Sequence, residues 1–130
     1  MKLLRRILLA LVILLVVLYA GVVGYMYVNQ RALQYDAQGE VTALADTGLS
    51  GAEDIAVPSG DGVVHGWYQA PQAGKPLIVY YKGNSGSFSK EHERYEQFVA
   101  DGYGFVAFDY RGFPASPGTI SQQGILSDAT

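Results

Sequence analysis

The chain has 130 residues, a length typical of one domain, and it carries a net charge of −3 at pH 7. It contains no Cys, which excludes disulfides and thiolate metal sites. Three of the nine Lys and Arg lie within the first six residues, so the rest of the chain holds six against twelve Asp and Glu, a net charge of −6. Such an acidic surface argues against nucleic acid as a partner.

The first predicted element is an apolar helix over Ile7–Val28. This run has no charged residue, and fourteen of its twenty-two residues are Leu, Ile or Val. As a helix it spans roughly 33 Å, enough to cross a bilayer core of about 30 Å. We expect an uncleaved signal anchor that binds the lipid bilayer and continues to about Gln34. A cleaved signal peptide is the alternative, although signal-peptide apolar regions are shorter, at about 7–15 residues.

Charge predicts the orientation of this helix. Lys2, Arg5 and Arg6 precede the apolar run, whereas only Arg31 follows it closely. By the positive-inside rule the N-terminus is cytoplasmic and the remainder lies outside. The sequence therefore predicts a single-pass protein of the plasma (inner) membrane.

Three segments are expected along the chain: residues 1–34 as cytoplasmic tip and anchor, residues 35–52 as a linker, and residues 53–130 as a partial globular domain. Within that domain, short strands are predicted over Glu53–Val57 and Val63–Gln69. The turn-forming residues Pro58 to Gly62 separate them. The two strands are therefore expected to pair as a hairpin.

A strand–helix–strand unit follows the hairpin. Leu77–Tyr81 and Phe105–Phe108 are continuous apolar runs, typical of parallel strands that are covered on both faces. Between them, apolar residues recur at helical spacing, with Ser89 as the expected N-cap and Gly102 as the stop. This order predicts a βαβ unit with two parallel strands. A further helix is expected over Ile120–Ala129.

Taken in order, these motifs resemble a known family. The pattern runs through GWY, LIVYY, Gly83-Asn84, a helix and then FVAFDYRG with Ser116 and Gly118 behind it. It is similar to the membrane-anchored serine hydrolases related to the serine aminopeptidase-like and bud-emergence-type α/β-hydrolases. The resemblance covers Glu53–Thr130 and the anchor. It implies an α/β fold: a transmembrane helix followed by the first half of an α/β-hydrolase sheet, truncated before the nucleophile elbow.

The resemblance also implies roles for particular residues. In the family the loop after the third strand carries His-Gly-Asn and donates a backbone N–H to the oxyanion. Gly83, Asn84 and Ser85 are the oxyanion-loop candidates here, with Asn84 as the donor and Lys82 in the place of the usual His. The alternative is that this loop is only a strand-to-helix turn. Asp109, Arg111 and Ser116 match the loop after the fourth strand, where such residues hold the loop beside the site.

No catalytic nucleophile is found in the sequence. A nucleophile elbow requires G-x-S-x-G, and the triad order in this fold is Ser, acid, His, all after the fourth strand. His65 and His92 precede that point and are taken as surface or packing residues. The family resemblance implies a serine hydrolase acting on a small acyl substrate, an ester, thioester or amide, without metal or cofactor. This chain alone is expected to be inactive.

The sequence also bears on two further classes of function. A Gly-rich loop between a strand and a helix can hold phosphate, but residues 83–90 fit neither G-x-x-x-x-G-K-[ST] nor G-x-G-x-x-G. A non-catalytic, membrane-tethered binding or scaffold module is the main alternative function. The family's sheet order also predicts that Leu77–Tyr81 is an open edge strand, which favours self-association with a second copy.

Overall fold

The computed structural model describes residues 1–60 and 62–130, and they form two compact units, Met1–Gln34 and Tyr35–Thr130. The first unit is one helix, α1, over Lys2–Gln34. It is long and apolar enough to cross a membrane, a property that signal sequences near an N-terminus share. None of its residues is buried within the protein. The predicted helix, including its end at Gln34, is confirmed.

The second unit is a four-stranded mixed sheet with helices around it. The strands are β1 (Glu53–Ser59), β2 (Gly62–Gln69), β3 (Leu77–Tyr80) and β4 (Gly104–Phe108). Their order across the sheet is β1-β2-β4-β3. Helix α2 covers His92–Ala100, α3 covers Gln122–Asp128, and two short 3₁₀ turns cover Leu44–Asp46 and Phe88–Glu91.

Strand pairing follows the predicted pattern. β1 and β2 pair antiparallel as a hairpin, with Val57 opposite Val64, and β3 and β4 pair in parallel, with Val79 opposite Val106. The predicted hairpin and βαβ unit are therefore confirmed. The predicted turn between β1 and β2 includes Asp61, which lies outside the described residues.

Gly66 allows β2 to lie close against β4. A Cβ at this position would lie 2.8 Å from the Cα of Phe108 and closer still to the carbonyl oxygen of Ala107. Both atoms belong to backbone that cannot move without breaking the sheet. The glycine of the GWY motif is thus required by strand packing.

The core lies between the sheet and α2. Tyr95 of α2 is fully buried, its ring stacks on Phe105 at 4.9 Å between centroids, and its hydroxyl donates to the Phe88 carbonyl. Trp67 packs edge-on against Phe88 at 4.9 Å. Aromatic pairs of this kind stabilise a core by about 0.5–1.5 kcal/mol beyond their buried area. They join β2, β4 and α2 into one packed unit.

Residues 35–52 depart from the predicted linker. Leu49 is only 2% exposed and belongs to the core, and Leu44 packs against it. The Thr42 N–H donates to Ser89 Oγ at 2.9 Å. The segment therefore packs as part of the globular unit, because its two leucines find an apolar surface that the local sequence does not reveal.

The prediction that β3 is covered on both faces was wrong. Ile78 and Tyr80 face α2, and the Tyr80 ring lies 5.3 Å from that of Tyr95. Leu77 and Val79 face the other side and remain 42% and 49% exposed. On that side Tyr81 contacts the end of the chain, where its hydroxyl donates to the Ala129 carbonyl. The predicted edge position of β3 is confirmed.

The start of the central helix also differs from the expectation. Ser87, rather than Ser89, caps the 3₁₀ turn that leads into α2, because its hydroxyl accepts from the Ser89 N–H. Ser89 is fully buried, and its own hydroxyl donates to Ser87 Oγ at 3.0 Å. Gly102 ends this helical region as predicted, with φ +84° and its N–H bonded to the Val99 carbonyl.

Candidate active site

Two loops meet at the edge of the sheet where the parallel strands end. The first follows β3 and contains Lys82, Gly83, Asn84 and Ser85. The second follows β4 and begins at Asp109. Because β3 and β4 run in parallel, their carboxyl ends lie side by side, and this edge is where open α/β sheets bind ligands.

Asp109 joins the two loops. Its side chain is fully buried, one carboxylate oxygen accepts from the Phe88 N–H at 2.8 Å, and the other accepts from the Ala115 N–H at 2.9 Å. Hydrogen bonds to a charged acceptor stabilise by roughly 1.5–3 kcal/mol each. Asp109 therefore holds the start of the 3₁₀ turn and the second loop in fixed positions.

Lys82 is the charged partner of Asp109. Its Nζ lies 3.7 Å from an Asp109 oxygen, and the lysine side chain is only 2% exposed. The same Nζ donates to the Gly83 carbonyl at 3.1 Å and lies 3.6 Å from the centroid of the Phe113 ring. Burial lowers the pKa of Lys82 to about 8, although the carboxylate of Asp109 acts in the opposite direction.

The Gly83–Asn84 segment is exposed and is held from its far side. The Asn84 carbonyl accepts from the Asp36 N–H at 3.0 Å, and the Gly86 N–H donates to the Asp36 carbonyl at 2.8 Å. Gly86 has φ +60°, a conformation that favours glycine. Ser85 Oγ accepts from Lys90 Nζ at 3.0 Å. These contacts fix the path of the loop while leaving Gly83 and Asn84 accessible.

A shallow cavity of about 220 Å³ opens at this loop. Its lining consists of the loop itself and of apolar and aromatic side chains, namely Tyr35, Lys82, Gly83, Asn84, Tyr110, Phe113 and Ile125. The Tyr110 hydroxyl donates to the Lys82 carbonyl at 3.3 Å, and burial raises the pKa of this tyrosine. The site thus combines an accessible backbone loop with a mostly apolar wall.

Ser116 and Arg111 tie the second loop to its surroundings. Ser116 Oγ donates to the Asp109 carbonyl at 2.6 Å and accepts from the His65 N–H at 2.9 Å. Arg111 bonds the Asp128 carboxylate through Nε and Nη2, and its Nη2 also donates to the Ser59 carbonyl. Burial alone would raise the pKa of Asp128, but the hydrogen bonds from Arg111 and Ser59 outweigh it and hold that pKa below its usual value.

The sequence of this chain is similar to those of several known proteins. No family model matches the chain. The chain is 31% identical over 113 residues to an uncharacterized protein of Mycobacterium tuberculosis strain H37Rv, a match that covers 85% of this chain and 40% of the relative. It is 41% identical over 66 residues to the lysophosphatidylserine lipase ABHD12 of Bos taurus, covering 48% of this chain and 17% of that protein. The chain thus spans less than half the length of these relatives.

Solved structures show the same fold. The Pyrococcus furiosus esterase Pf2001 superposes with a TM-score of 0.58 at 23% identity, over 74% of this chain and 38% of the esterase. An α/β-hydrolase from Vibrio vulnificus gives a TM-score of 0.51 at 21% identity, over 62% of this chain and 28% of that chain. The globular part of this chain therefore has the α/β-hydrolase fold. Its sheet is the part of the α/β-hydrolase fold that the sequence predicted.

The histidines of this chain have local partners. His65 is exposed on β2, and its backbone N–H bonds Ser116. His92 lies at the start of α2, with Nδ1 3.1 Å from Glu96 Oε1. Glu96 in turn accepts from the Gly48 N–H, and this bond lowers the pKa of Glu96 ahead of the contact with His92. Both histidines therefore take part in contacts that stabilise the fold.

Sequence reasoning missed two residues at the candidate site, Asp36 and Asp128, and the partner of a third, Lys82. Asp36 bonds the backbone on both sides of Ser85, Asp128 pairs with Arg111, and Lys82 pairs with Asp109. The sequence singled out Lys82 only as the residue in the place of the usual His. The other two lie 17 to 49 residues from their partners along the chain, so local patterns could not reveal them.

Proposed function

We propose that this chain is the membrane-anchored N-terminal part of a serine hydrolase, and that its Gly83–Asn84–Ser85 loop supplies an oxyanion donor. The complete protein would cleave an ester, thioester or amide bond through an acyl-enzyme. The observation that carries the proposal is the accessible Gly83–Asn84 loop at the carboxyl end of β3, in the fold of known esterases.

The chemistry of acyl transfer explains why such a loop is needed. Attack on a carbonyl carbon places negative charge on the carbonyl oxygen in the transition state. A backbone N–H fixed in advance stabilises that charge without reorganisation, and loss of one such donor costs about 10²- to 10³-fold in rate. The Asn84 N–H is the proposed donor, and the bond from the Asp36 N–H to the Asn84 carbonyl holds the following peptide of the same loop.

A lipid ester is the favoured substrate class. A relative with 41% identity over 66 residues is a lysophosphatidylserine lipase. Helix α1 has the length and apolar character to hold the hydrolase part at a membrane, where such esters are concentrated. Lys2, Arg5 and Arg6 favour a cytoplasmic N-terminus, which puts the hydrolase part outside the plasma membrane.

Reading the coding DNA beyond codon 130 in all three frames tests this function first. An in-frame G-x-S-x-G within about thirty codons supports the hydrolase, since that is the motif of a nucleophile elbow. The longer product should then hydrolyse short-chain nitrophenyl esters and react with a fluorophosphonate probe. A longer product that has the motif but neither activity would overturn the proposal.

A matched pair of variants in that product tests the oxyanion donor. Asn84→Ala keeps the backbone N–H and should retain most activity. Asn84→Pro removes the N–H and should lower kcat by about 10²- to 10³-fold. Far-ultraviolet circular dichroism reports whether each variant is folded. Equal activity in both folded variants would exclude Asn84 as the donor.

The second candidate is a membrane-tethered binding module without chemistry. The edge position of β3 favours it, because an edge strand offers unpaired N–H and C=O groups to a partner strand. This candidate predicts that no G-x-S-x-G follows in any frame. It also predicts that the 130-residue chain elutes as a stable, folded species with or without its partner.

A further inference from the structure

Lys82 makes a contact whose consequence extends beyond its ion pair. Its Nζ donates at 3.1 Å to the carbonyl of Gly83, the next residue in the chain. Asp109 holds the ammonium from one side at 3.7 Å, and the Phe113 ring lies against it at 3.6 Å. With its side chain only 2% exposed, the ammonium is confined to one position.

The Gly83 carbonyl and the Asn84 N–H belong to the same peptide plane. The described residues contain no cis peptide bond, so this plane is trans. In a trans peptide the C=O and the N–H point in opposite directions. Rotation about the C–N bond that joins them costs far more than thermal energy. A donor that fixes the direction of the Gly83 carbonyl therefore also fixes the direction of the Asn84 N–H.

The backbone torsions of Gly83 do not by themselves fix this peptide plane. Gly83 lacks a Cβ and can turn its following peptide through a wide range of angles. Asp36 constrains the next peptide along, through the Asn84 carbonyl at 3.0 Å. The Lys82 contact is a hydrogen bond that acts on the Gly83–Asn84 plane from its carbonyl side.

We propose that Lys82 is a positioning residue: by donating to the Gly83 carbonyl, its ammonium sets the direction of the Asn84 N–H. This role rests on the proposed function, in which that N–H stabilises the oxyanion. It also explains why the fold buries the Lys82 ammonium. Burying an ammonium is unfavourable unless it is paired and hydrogen-bonded. Asp109 supplies the paired charge, and the Gly83 carbonyl supplies the hydrogen bond.

The charge on Lys82 can be removed by pH, which makes the role measurable. Burial lowers the pKa of Lys82 to about 8. The ammonium is therefore charged below about pH 8 and neutral above it, where both the ion pair and the charge-assisted bond weaken. The ionisable groups that face the site are the Asp109 carboxylate, the Lys90 ammonium, and the hydroxyls of Tyr110 and Tyr35.

Nuclear magnetic resonance of the full chain, isotope-labelled and held in detergent micelles, tests the proposal directly. The Gly83 carbonyl ¹³C and the Asn84 amide ¹⁵N should both shift between pH 6 and pH 10, with a midpoint near 8. Lys82→Met should abolish this titration. Lys75→Met is the matched control, because Lys75 lies at a surface site over the Tyr103 ring and should leave both signals unchanged.

A conservative variant separates positioning from simple support of the fold. Lys82→Arg keeps a charged donor that does not titrate, so the Asn84 amide should stay near its low-pH position up to pH 10. If the Met variant fails to fold, the wild-type titration and the Arg variant still decide the matter. Gly83 and Asn84 signals that ignore pH in the wild type would overturn the proposal.

The same variants in a longer, active product separate this role from the function itself. Lys82→Met should lower kcat by about tenfold to a hundredfold with little change in KM, since a misdirected donor affects the transition state. If the Asn84 amide signal titrates but the longer product is inactive, the proposed function is refuted and the effect of Lys82 on the peptide stands. Activity without any Asn84 titration would refute the role of Lys82 alone.

Discussion

Arg111 and Asp128 form a largely buried ion pair that connects the last turn of α3 to the loop after β4 through two sets of hydrogen bonds. Arg111 Nη2 lies 2.7 Å from Asp128 Oδ1, and the Arg111 backbone N–H donates to Oδ2 at 2.8 Å. The Asp128 side chain is fully buried, and Ser59 of β1 donates to it at 2.7 Å. One carboxylate thus connects α3, the second loop and the first strand.

Substitution Asp128→Asn should therefore destabilise the fold. It keeps the size of the side chain but removes the negative charge that Asp128 presents to the Arg111 guanidinium, and breaking a buried pair in this way costs roughly 3–5 kcal/mol. Urea unfolding of the detergent-solubilised full chain, followed by Trp67 fluorescence, measures the loss. Asp101→Asn, at an exposed site after α2, is the matched control and should change stability by less than about 0.5 kcal/mol.

The same pair predicts an acid dependence of stability. The pKa of Asp128 is lower in the folded chain than in the unfolded chain. Its contribution is therefore fully present above the ordinary aspartate pKa of about 3.9 and is lost as pH falls through the lower folded value. Wild type should lose more stability than Asp128→Asn between pH 5 and pH 2. Parallel pH curves for the two proteins would contradict this.

The 130-residue chain should not react with serine-directed probes. Ser116 Oγ is buried and already donates to the Asp109 carbonyl, and Ser85 Oγ accepts from Lys90. A serine hydroxyl without an adjacent base is a weak nucleophile at neutral pH. Fluorophosphonate labelling followed by peptide mass spectrometry checks this. Modification of either serine above the level of the heat-denatured chain would show an activated nucleophile.

Helix α1 should stay in the membrane after synthesis. Its uncharged run over Ile7–Val28 is long enough to span the bilayer and exceeds an ordinary signal-peptide core. Carbonate extraction of membranes from expressing cells should leave the chain in the pellet at full mass. Release of a product shortened by about twenty residues would indicate a cleaved signal peptide instead. Leu14→Arg, in the middle of the run, should weaken insertion by about 3 kcal/mol.

The globular unit, residues 35–130, should self-associate through β3 when it is expressed alone. β3 is an edge strand with exposed Leu77 and Val79 and no charged residue between Leu77 and Tyr81. Val79→Lys should shift the unit toward monomer in size-exclusion chromatography, because an edge lysine blocks strand pairing. Val57→Lys on the opposite edge strand is the matched control, at a valine of similar exposure. A monomeric wild type with a sharp cooperative melt would rule out this association.

The sequence by itself determined the elements with strong local patterns. The uncharged run over Ile7–Val28 predicted α1, and the helix continues to Gln34 as expected, since bilayer length and residue composition act locally. The hairpin was predictable because turn residues separate two alternating strands, and the βαβ unit because apolar runs flank a helical period. The Gly83–Asn84 and Asp109–Gly112 motifs then indicated the α/β-hydrolase fold.

Only the tertiary structure decided how residues far apart in the chain meet. The burial of Leu49 depends on an apolar surface built by β2 and α2, so residues 35–52 read locally as a linker. The exposure of Val79 depends on which face a helix covers, and a continuous apolar run carries no information about that. Lys82 and Asp109 lie 27 residues apart, and their pairing required the parallel alignment of β3 and β4. Long-range burial and charge pairing arise from the assembled sheet, because the neighbours that supply them are remote in sequence.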